Sequence, residues 1–577
     1  MDPIKWNISH FVENENDCLN YIRENYQLLP YLNVNEFEQI PYNSLVRFRG
    51  MDMYDPEYYL QKCEIINRSS NTTYSQTGKY RDTINCKDDE ELDLENKNNI
   101  SSERHTFVVI STPAVNDWIT EIEKTRHKIK HDERSSCSSG IKRPLENEEE
   151  MEMEAIPNKK TSPTTYTKIT KPSLSKEHYL NFPIPGENGK ACQVKVYEND
   201  SNIKLNEVYD FVGYLSTDVI ALQDNENDFG MEMEIQTHNP PTSLIPRLHC
   251  VFWKKIEYQN PLVENISLNT EKIQFLRQEL HLILTEVMMG DELAANYLLY
   301  HLLSRVYLRR DLMPLGTFTL NISNIPVQAV EDYGNKLYEL LQILLPKSHY
   351  LPMTLENMND LRFTPKKDYE CNRLTTGLLQ LSDGTHLVLD ETKLSSGKLN
   401  ESGVKAVSAI NNIIKSQKVG YDFNYYTMEF DCDIPILVLS EGKSLLPSDG
   451  QVVLKPSEIH VNTFNEIYEA VKKLLNPDLL NDIRTYLTIS KYGQYEILDG
   501  MLLTISKYGQ YEILDGMLKI VQNDFVNFRQ IDKINADDLH QLLVLSRLIC
   551  LSEGKSSLDE ECWRSACDLE KQRKLRL

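Results

Sequence analysis

The chain has 577 residues, with 62 Lys and Arg against 86 Asp and Glu, a net charge of −24. That balance argues against a protein built on phosphate contacts, which would present a basic face, so direct DNA contact is not expected. Hydrophobic residues are 40% and charged residues 26%, enough for a sizeable core, and the length suits about three folded units with linkers.

The most apolar stretches, such as Leu280–Met289, fall short of the ~20 residues of a membrane span. The segment Met1-Asp2-Pro3-Ile4-Lys5-Trp6 lacks the basic-then-apolar pattern of a secretory leader. No membrane partner is expected. Eleven cysteines are scattered without a CxxC pair, and no His cluster accompanies Cys562 and Cys567. No metal is expected, and reduced thiols are the plain reading.

In chain order, residues 1–123 open a β-type part. Leu45–Met51 largely alternates apolar and polar, which suits a half-buried strand. Residues 66–104 are rich in Asn, Ser, Thr, Asp and Glu and read as a long polar loop. A short β-type run follows at Phe107–Ile110. Residues 124–178 hold a Ser-rich stretch and the acidic block Glu146–Glu154, with too little apolar surface to offset chain entropy, and are expected to be a disordered linker. Lys142-Arg143 and Lys159-Lys160 flank that block, readable either as a bipartite nuclear-import signal or as a solvated charge run.

Residues 179–265 return to strand text at Ala191–Tyr197 and Val208–Leu215. With 45–51, 58–65 and 107–112 these make five short strands, the number an OB-type barrel needs. Phe48, Tyr58, Tyr59, Phe107 and Tyr197 could stack bases on such a barrel. The acidic surroundings favour a core role or a protein-binding face.

Residues 266–480 read as mixed α/β. Ile273–Met289 and Leu293–Leu308 are expected helices, the second apolar all round and so buried. Thr317–Ile322 is an expected strand. Residues 481–577 read as a helical cap, with helices at Leu539–Ser552 and around Trp563. Within it, residues 487–502 recur letter for letter at 503–518. Sixteen residues is not a whole number of helical turns, so one copy is expected to bulge out as a loop.

Two motifs invite a nucleotide reading. Gly442-Lys443-Ser444 has Leu437 where a phosphate loop needs its first glycine, and Gly554-Lys555-Ser556 has Ile549 there. Leu387-Val388-Leu389-Asp390-Glu391 is a short apolar run ending in two acids, like a Walker B strand, in which the Asp holds Mg²⁺ and the Glu polarises water. A helix at Val404–Ile414, a hairpin over Tyr421–Phe430 and a buried strand at Ile434–Leu439 follow. The expectation is an α/β fold of degenerate AAA+ type with a helical lid, and no phosphate grip. No cofactor and no catalytic residue is expected.

Several segments, in order along the chain, resemble the mini-chromosome maintenance (MCM) complex-binding protein family: Leu45–Met51, Asn181-Phe182-Pro183, Val194–Glu198, Phe211-Val212-Gly213, Pro246–His249, Arg309-Arg310-Asp311, Thr385–Thr392 and Ser440–Ser444. The 16-residue duplication departs from the family pattern. The resemblance implies a nuclear, non-enzymatic partner of MCM helicase subunits, touching chromatin indirectly. It implies links to DNA replication, removal of MCM complexes from chromatin and sister-chromatid cohesion. A chaperone for new MCM subunits is the alternative it leaves open. A residual ATPase using Asp390 and Glu391, or a single-strand binder, are the competing readings of the residues themselves.

Overall fold

The structure, a computed structural model, describes residues 6–35, 40–41, 43–51, 54–67, 72–82, 86, 89–93, 96–136, 180–198, 203–216, 240–242, 244–263, 268–310, 313–369, 373–493, 516–531 and 535–577. It is a mixed α/β protein. Lys142, Arg143, Lys159 and Lys160 lie outside the described residues.

The first sheet is built from β1 (Leu45–Met51), β2 (Tyr54–Asn67), β3 (Thr72–Thr77), β4 (Glu90–Leu92), β5 (Ile100–Ile110), β6 (Ala191–Val196), β7 (Val208–Ser216) and β8 (Arg247–Lys255). β1 pairs antiparallel with β7, β7 with β8, and β5 with β6, while β8 and β6 run parallel. Met51 of β1 pairs with Ile110 of β5, so these five strands form a closed ring. Val46, Phe48, Phe107, Val194 and Phe211 fill its interior. Leu45 and Tyr214 instead pack under the helices Ile8–Glu13 and Glu15–Asn25, beside Phe11 and Ile22.

Three expectations change here. The strand that closes the ring is β8, not the 58–65 segment; that segment belongs to β2, which pairs with β5 and carries β3 and β4 outside the ring. β8 escapes a periodicity reading because Arg247 and His249 are buried inside the protein along with Leu248 and Cys250. The stretch 66–104 is not one polar loop either, since it holds β3, β4 and the start of β5. The helix Asp117–Ser136 also runs into the expected linker.

The reason lies in Asp82, a polar residue of that stretch whose side chain has no solvent exposure. Lys195 Nζ lies 2.7 Å from its Oδ1, and Ser216 Oγ donates to Oδ2 at 2.9 Å. Arg104 and Arg247 stand 3.7 Å away, and His249 Nε2 is 3.3 Å from Oδ2. His249 Nδ1 is 2.6 Å from the Tyr197 hydroxyl. Burial opposes the Asp82 charge, but His249 and Lys195 hold its carboxyl far below the usual carboxylate range. Burial also pushes the His249 imidazole down, against the pull of Asp82.

The second part starts with the helices Thr270–Val287 and Glu292–Leu303. The second stops short of the expected Leu308, because Ser304 turns extended and leads into β9 (Leu308–Arg310) and β10 (Met313–Leu315). Then come β11 (Leu320–Ser323), β12 (Ser348–Pro352), β13 (Lys366–Asp368), β14 (Arg373–Thr375), β15 (His386–Asp390), β16 (Lys418–Asp422), β17 (Thr427–Asp431), β18 (Ile436–Leu439) and β19 (Gly450–Val453). Five of them form a parallel sheet in the order β12-β15-β18-β11-β19, and β14-β13-β16-β17 form a small separate sheet.

Side chains of the parallel sheet alternate between two cores. Val388, Leu437 and Leu439 join the helices of one face, whereas Leu387, Leu389, Ile436 and Val438 pack against Ala406 and Ile410 of the helix Glu401–Ser416 on the other. Burial on both faces explains why these strands read as unbroken apolar runs. The helices Pro477–Tyr492, Ala536–Ser552 and Glu560–Lys574 share the first core through Tyr486, Leu548 and Trp563, so the helical region is packed onto the sheet rather than standing off it.

The two parts are bolted together at residues 115–118. Asn116 Nδ2 and Trp118 Nε1 both donate to Leu345 O, at 2.7 and 2.9 Å, and the Arg484 guanidinium lies 4.0 Å over the Trp118 ring. The duplicated segment is divided between two helices. Pro477–Tyr492 ends in the first copy, and Gly516–Ile531 begins with the last three residues of the second. The expected bulge falls on residues 494–515, outside the described residues.

Replacing Asp82 with Asn strands three cations in a dry site, and a loss of about 3–5 kcal/mol in urea unfolding is expected. Both Asp82 and His249 have folded values depressed below their unfolded ones. Stability is therefore present in full above about pH 6.5, falls first as unfolded His249 takes a proton, and falls again below about pH 4 as Asp82 does. Denaturant midpoints between pH 8 and 4 check the slope, and Asp82→Asn should remove its lower limb.

Candidate functional site

A parallel α/β sheet receives ligands beyond the carboxyl ends of its strands, where the chain leaves two neighbouring strands in opposite directions. That point lies between β11 and β18, since β11 leads to β12 at one edge and β18 to β19 at the other. Here the crevice is tied shut. The Asn324 and Ile325 N–H groups donate to Glu441 O and Ser440 O at 3.1 and 3.3 Å. Asn321 Nδ2 donates to Ser440 Oγ at 3.0 Å, and Asn324 Nδ2 to Leu454 O at 2.8 Å. The backbone donors that would cradle a phosphate after the first strand are spent on carbonyls.

The loop that follows, Pro326–Asp332, contains neither glycine nor lysine, and it ends in Glu331-Asp332. Asp332 pairs with Lys393 at 2.6 Å. Lys336, in the next helix Tyr333–Leu344, is turned away to Asn465 Oδ1 at 2.7 Å.

Asp390 sits at the end of β15, fully buried. Tyr350 donates its hydroxyl to Oδ2 at 2.5 Å. Thr392 donates its N–H and its hydroxyl to Oδ1 at 3.0 and 2.6 Å. This is ordinary capping chemistry: an Asp at the head of the short turn Glu391–Lys393, with a hydroxyl two residues on. Gly334 lies directly against the carboxylate, and a methyl built there would overlap Asp390 Oδ2.

Glu391 turns the other way. Its Oε1 accepts from Ser444 Oγ at 2.8 Å and from the Leu445 N–H at 3.3 Å. Burial pushes its carboxyl up from the ordinary range, and these bonds partly offset the rise. The acidic pair and Gly442-Lys443-Ser444 thus meet through Glu391 and Ser444, 53 residues apart in sequence, while Lys443 is exposed. A Mg²⁺ at Asp390 would have to displace Tyr350 and Thr392. As built, the two acids tie loops together. Periodicity did not reveal Tyr350, Asn324 or Gly334; only the Asp-x-Thr spacing at 390–392 carries a local signal.

The other nominated residues separate. Gly554 takes φ +71 after the helix Ala536–Ser552, and Lys555 Nζ pairs with Glu553 and Asp559 at 2.8 and 2.7 Å. Among the described residues, Cys550, Asp559 and Cys562 place donor atoms within 4.8 Å of one another. The Lys555 ammonium already serves them, 3.5 Å from Cys562 Sγ. Cys567 is not in the group. Phe48 and Phe107 are buried in the ring interior, and Tyr197 rests edge-on against Tyr80, so these three rings do not form a stacking platform. The side chains of Tyr58 and Tyr59 lie outside the described residues.

The geometry defines a two-part α/β protein whose sheet edge is held by its own side chains. The chain belongs to the mini-chromosome maintenance replisome factor family, which matches residues 18–577. Similar proteins carry the name mini-chromosome maintenance complex-binding protein. That of Mus musculus is 38% identical over 603 residues, covering 95% of this chain and 91% of the relative. That of Homo sapiens is 37% identical over 604 residues with the same coverage, and that of Drosophila melanogaster 37% over 580 residues, covering 95% and 92%.

Gly334→Ala should lower stability by about 1–3 kcal/mol through the overlap with Asp390. Asp390→Ala should cost a similar amount, about 1–3 kcal/mol, by leaving Tyr350 without its acceptor. The double variant should lose less than the sum, because the second change makes room for the first. Chemical denaturation of the four proteins measures the coupling.

Proposed function

We propose that this chain is a non-catalytic nuclear factor that binds MCM helicase subunits. Its role supports DNA replication, removal of MCM complexes from chromatin and sister-chromatid cohesion. The binding part of the reading rests on family membership and on the printed name of relatives that share 95% of the chain. The non-catalytic part is carried by one observation: the crevice between β11 and β18 is closed by the Asn324 and Ile325 N–H bonds. Hydrolysis needs a positioned β,γ-phosphate with a lysine and a metal beside it, and the loop at that place offers Glu331 and Asp332 instead.

The shape reading is consistent with this. Taken along the chain, the ring strands run first, second, third, fifth, fourth and back to the first, with the third and fifth parallel, as an OB-type barrel requires. The parallel sheet runs second, third, fourth, first, fifth, with the acidic pair after the third strand and the β16–β17 hairpin before the fourth. An AAA+-type core calls for that order. A barrel followed by such a core can dock where a helicase subunit would, without turning over ATP. The net charge of −24 supports contact with chromatin through partners rather than through DNA itself.

The full-length protein, used as bait in nuclear extract, should retain MCM subunits, identified by mass spectrometry. In the same preparation no stoichiometric ATP binding and no turnover are expected. Turnover that is lost in Glu391→Gln would favour an active ATPase and overturn the non-catalytic reading.

A further inference from the structure

A groove of about 360 Å³ opens beside the strand ring, where the chain leaves β8 for the α/β part. That is within the size range of ligand sites. Five cationic side chains line it, from Arg47, Arg49, Arg126, Lys254 and Lys255, against two carboxylates, Glu123 and Glu257. In a chain with a net charge of −24 this is a local reversal of sign.

The positive wall is built, not incidental. Arg47 and Arg49 are two apart on β1, so both side chains leave the same face. Arg49 grips the fully buried Asp210 with two bonds, at 2.7 and 2.9 Å, and reaches Glu123 at 2.8 Å. It is fixed and largely spent. Arg47 shares Asp210 at longer range. Its nearest approach to Asp210 is 3.6 Å, its side chain is 11% exposed, and its Nε is buried without a hydrogen-bond partner. Lys254 is exposed, with its ammonium 5.5 Å from the Tyr26 ring centre. Among the described residues no carboxylate lies within 4.0 Å of it, whereas Lys255 is paired with Glu207 at 2.6 Å.

The aromatic rings decide what kind of anion fits. Strand-binding proteins offer bare rings for bases to stack on. Here Arg47 covers Tyr31 at 4.2 Å, and Arg47 and Lys254 both lie over Tyr26, at 5.9 and 5.5 Å. These two rings back the cations, and the other tyrosine lining the groove, Tyr258, is partly exposed and packs against Tyr492 with ring centres 5.6 Å apart. What remains open is guanidinium and ammonium hydrogen, which suits oxyanions. Glu123 and Glu257, both lining the groove, oppose a continuous phosphate backbone.

We propose that this groove is a docking site for an acidic peptide segment, with Arg47 and Lys254 taking its oxyanions, whether side-chain carboxylates or a phosphorylated Ser or Thr. The site is independent of which protein supplies the segment and does not rest on the helicase reading.

The test is fluorescence anisotropy on the full-length protein with four labelled probes: a Glu/Asp-rich decapeptide, the same peptide with one phosphoserine, its Gln/Asn counterpart, and a ten-nucleotide oligo-dT. Both acidic peptides should bind, more weakly as salt rises, and the Gln/Asn peptide should not. The phosphoserine arm shows which oxyanion source is preferred. Lys254→Glu should weaken acidic-peptide binding at least tenfold, while Lys519→Glu, at an exposed helical lysine elsewhere, should leave it unchanged. Urea midpoints equal to the parent's show that both variants fold. Equal binding of acidic and Gln/Asn peptides, or no loss in folded Lys254→Glu, overturns the proposal. Oligo-dT binding tighter than either peptide and lost in Lys254→Glu also overturns it, in favour of a nucleic-acid surface.

Discussion

Asp390 has two carboxylate oxygens, and three donors from its own chain already occupy them. A buried carboxylate must be satisfied by hydrogen bonds or not be charged at all. In a metal-dependent enzyme part of that satisfaction comes from the ion and its water. Here Tyr350 and Thr392 supply it, and Gly334 lets a helix press against the same group. Glu391, one residue on, closes a second tie to the loop after β18 through Ser444. Each bond is modest alone, about 1 kcal/mol net. Together they convert a sheet edge that commonly opens to ligands into a sealed surface, and the closed Asn324 and Ile325 bonds complete the seal.

The same rule governs the charges inside the barrel. The chain carries a large acidic excess, yet two buried acids of the barrel are matched locally by cations: Asp82 by Lys195, Arg104 and Arg247, and Asp210 by Arg47 and Arg49. At the opposite end of the parallel sheet from the sealed crevice, the buried Lys347, His386 and Lys491 gather with the half-buried Asp383 and Asp433. Lys347 Nζ donates to Ser382 Oγ at 2.9 Å, and Lys491 Nζ is 2.8 Å from His386 Nε2. Burial pushes the Asp383 carboxyl up and the Lys347 and Lys491 ammoniums down. Such groups add little net stability, because desolvation nearly cancels attraction. What they fix is which loops meet, since a loop that misses its partner leaves a bare charge in the core.

This explains what could be read from the sequence and what could not. The strands β15 and β18 were legible because burial on two faces makes unbroken apolar runs, and the helices Thr270–Val287 and Glu401–Ser416 because burial on one face makes a 3.6-residue period. The acidic pair was legible as a motif, but not its partners: Tyr350 lies on another strand, and only the fold brings it near. Asp82 and β8 were hidden for a related reason. Lys195, Arg247 and His249 point into the protein to meet Asp82, so polar residues occupy inward positions and the strand pattern fails there. Periodicity reports apolar burial, whereas this barrel is held in part by a buried ionic hub.

The duplicated segment shows the same logic acting on register. Before the first copy, the helix Pro477–Tyr492 is pinned by residues outside the repeat: Arg484 Nε donates to Ile343 O at 2.8 Å, and Tyr486 donates to Ser552 O at 2.9 Å. Seven residues past Arg484, about two turns on, the helix presents Lys491 to His386. Lys507 has an identical neighbourhood in sequence, but 16 residues of helix rotate it by about 160° from that face and carry it about 24 Å further. The second copy cannot take the place of the first while Arg484 and Tyr486 hold their partners. At the far end the helix Gly516–Ile531 draws its start from the second copy, because Val521, joined to that copy alone, is buried in the same core with Phe525 and Phe528 packed against it. The two described helices on either side thus each keep a buried anchor in that core, Tyr486 in one and Val521 in the other.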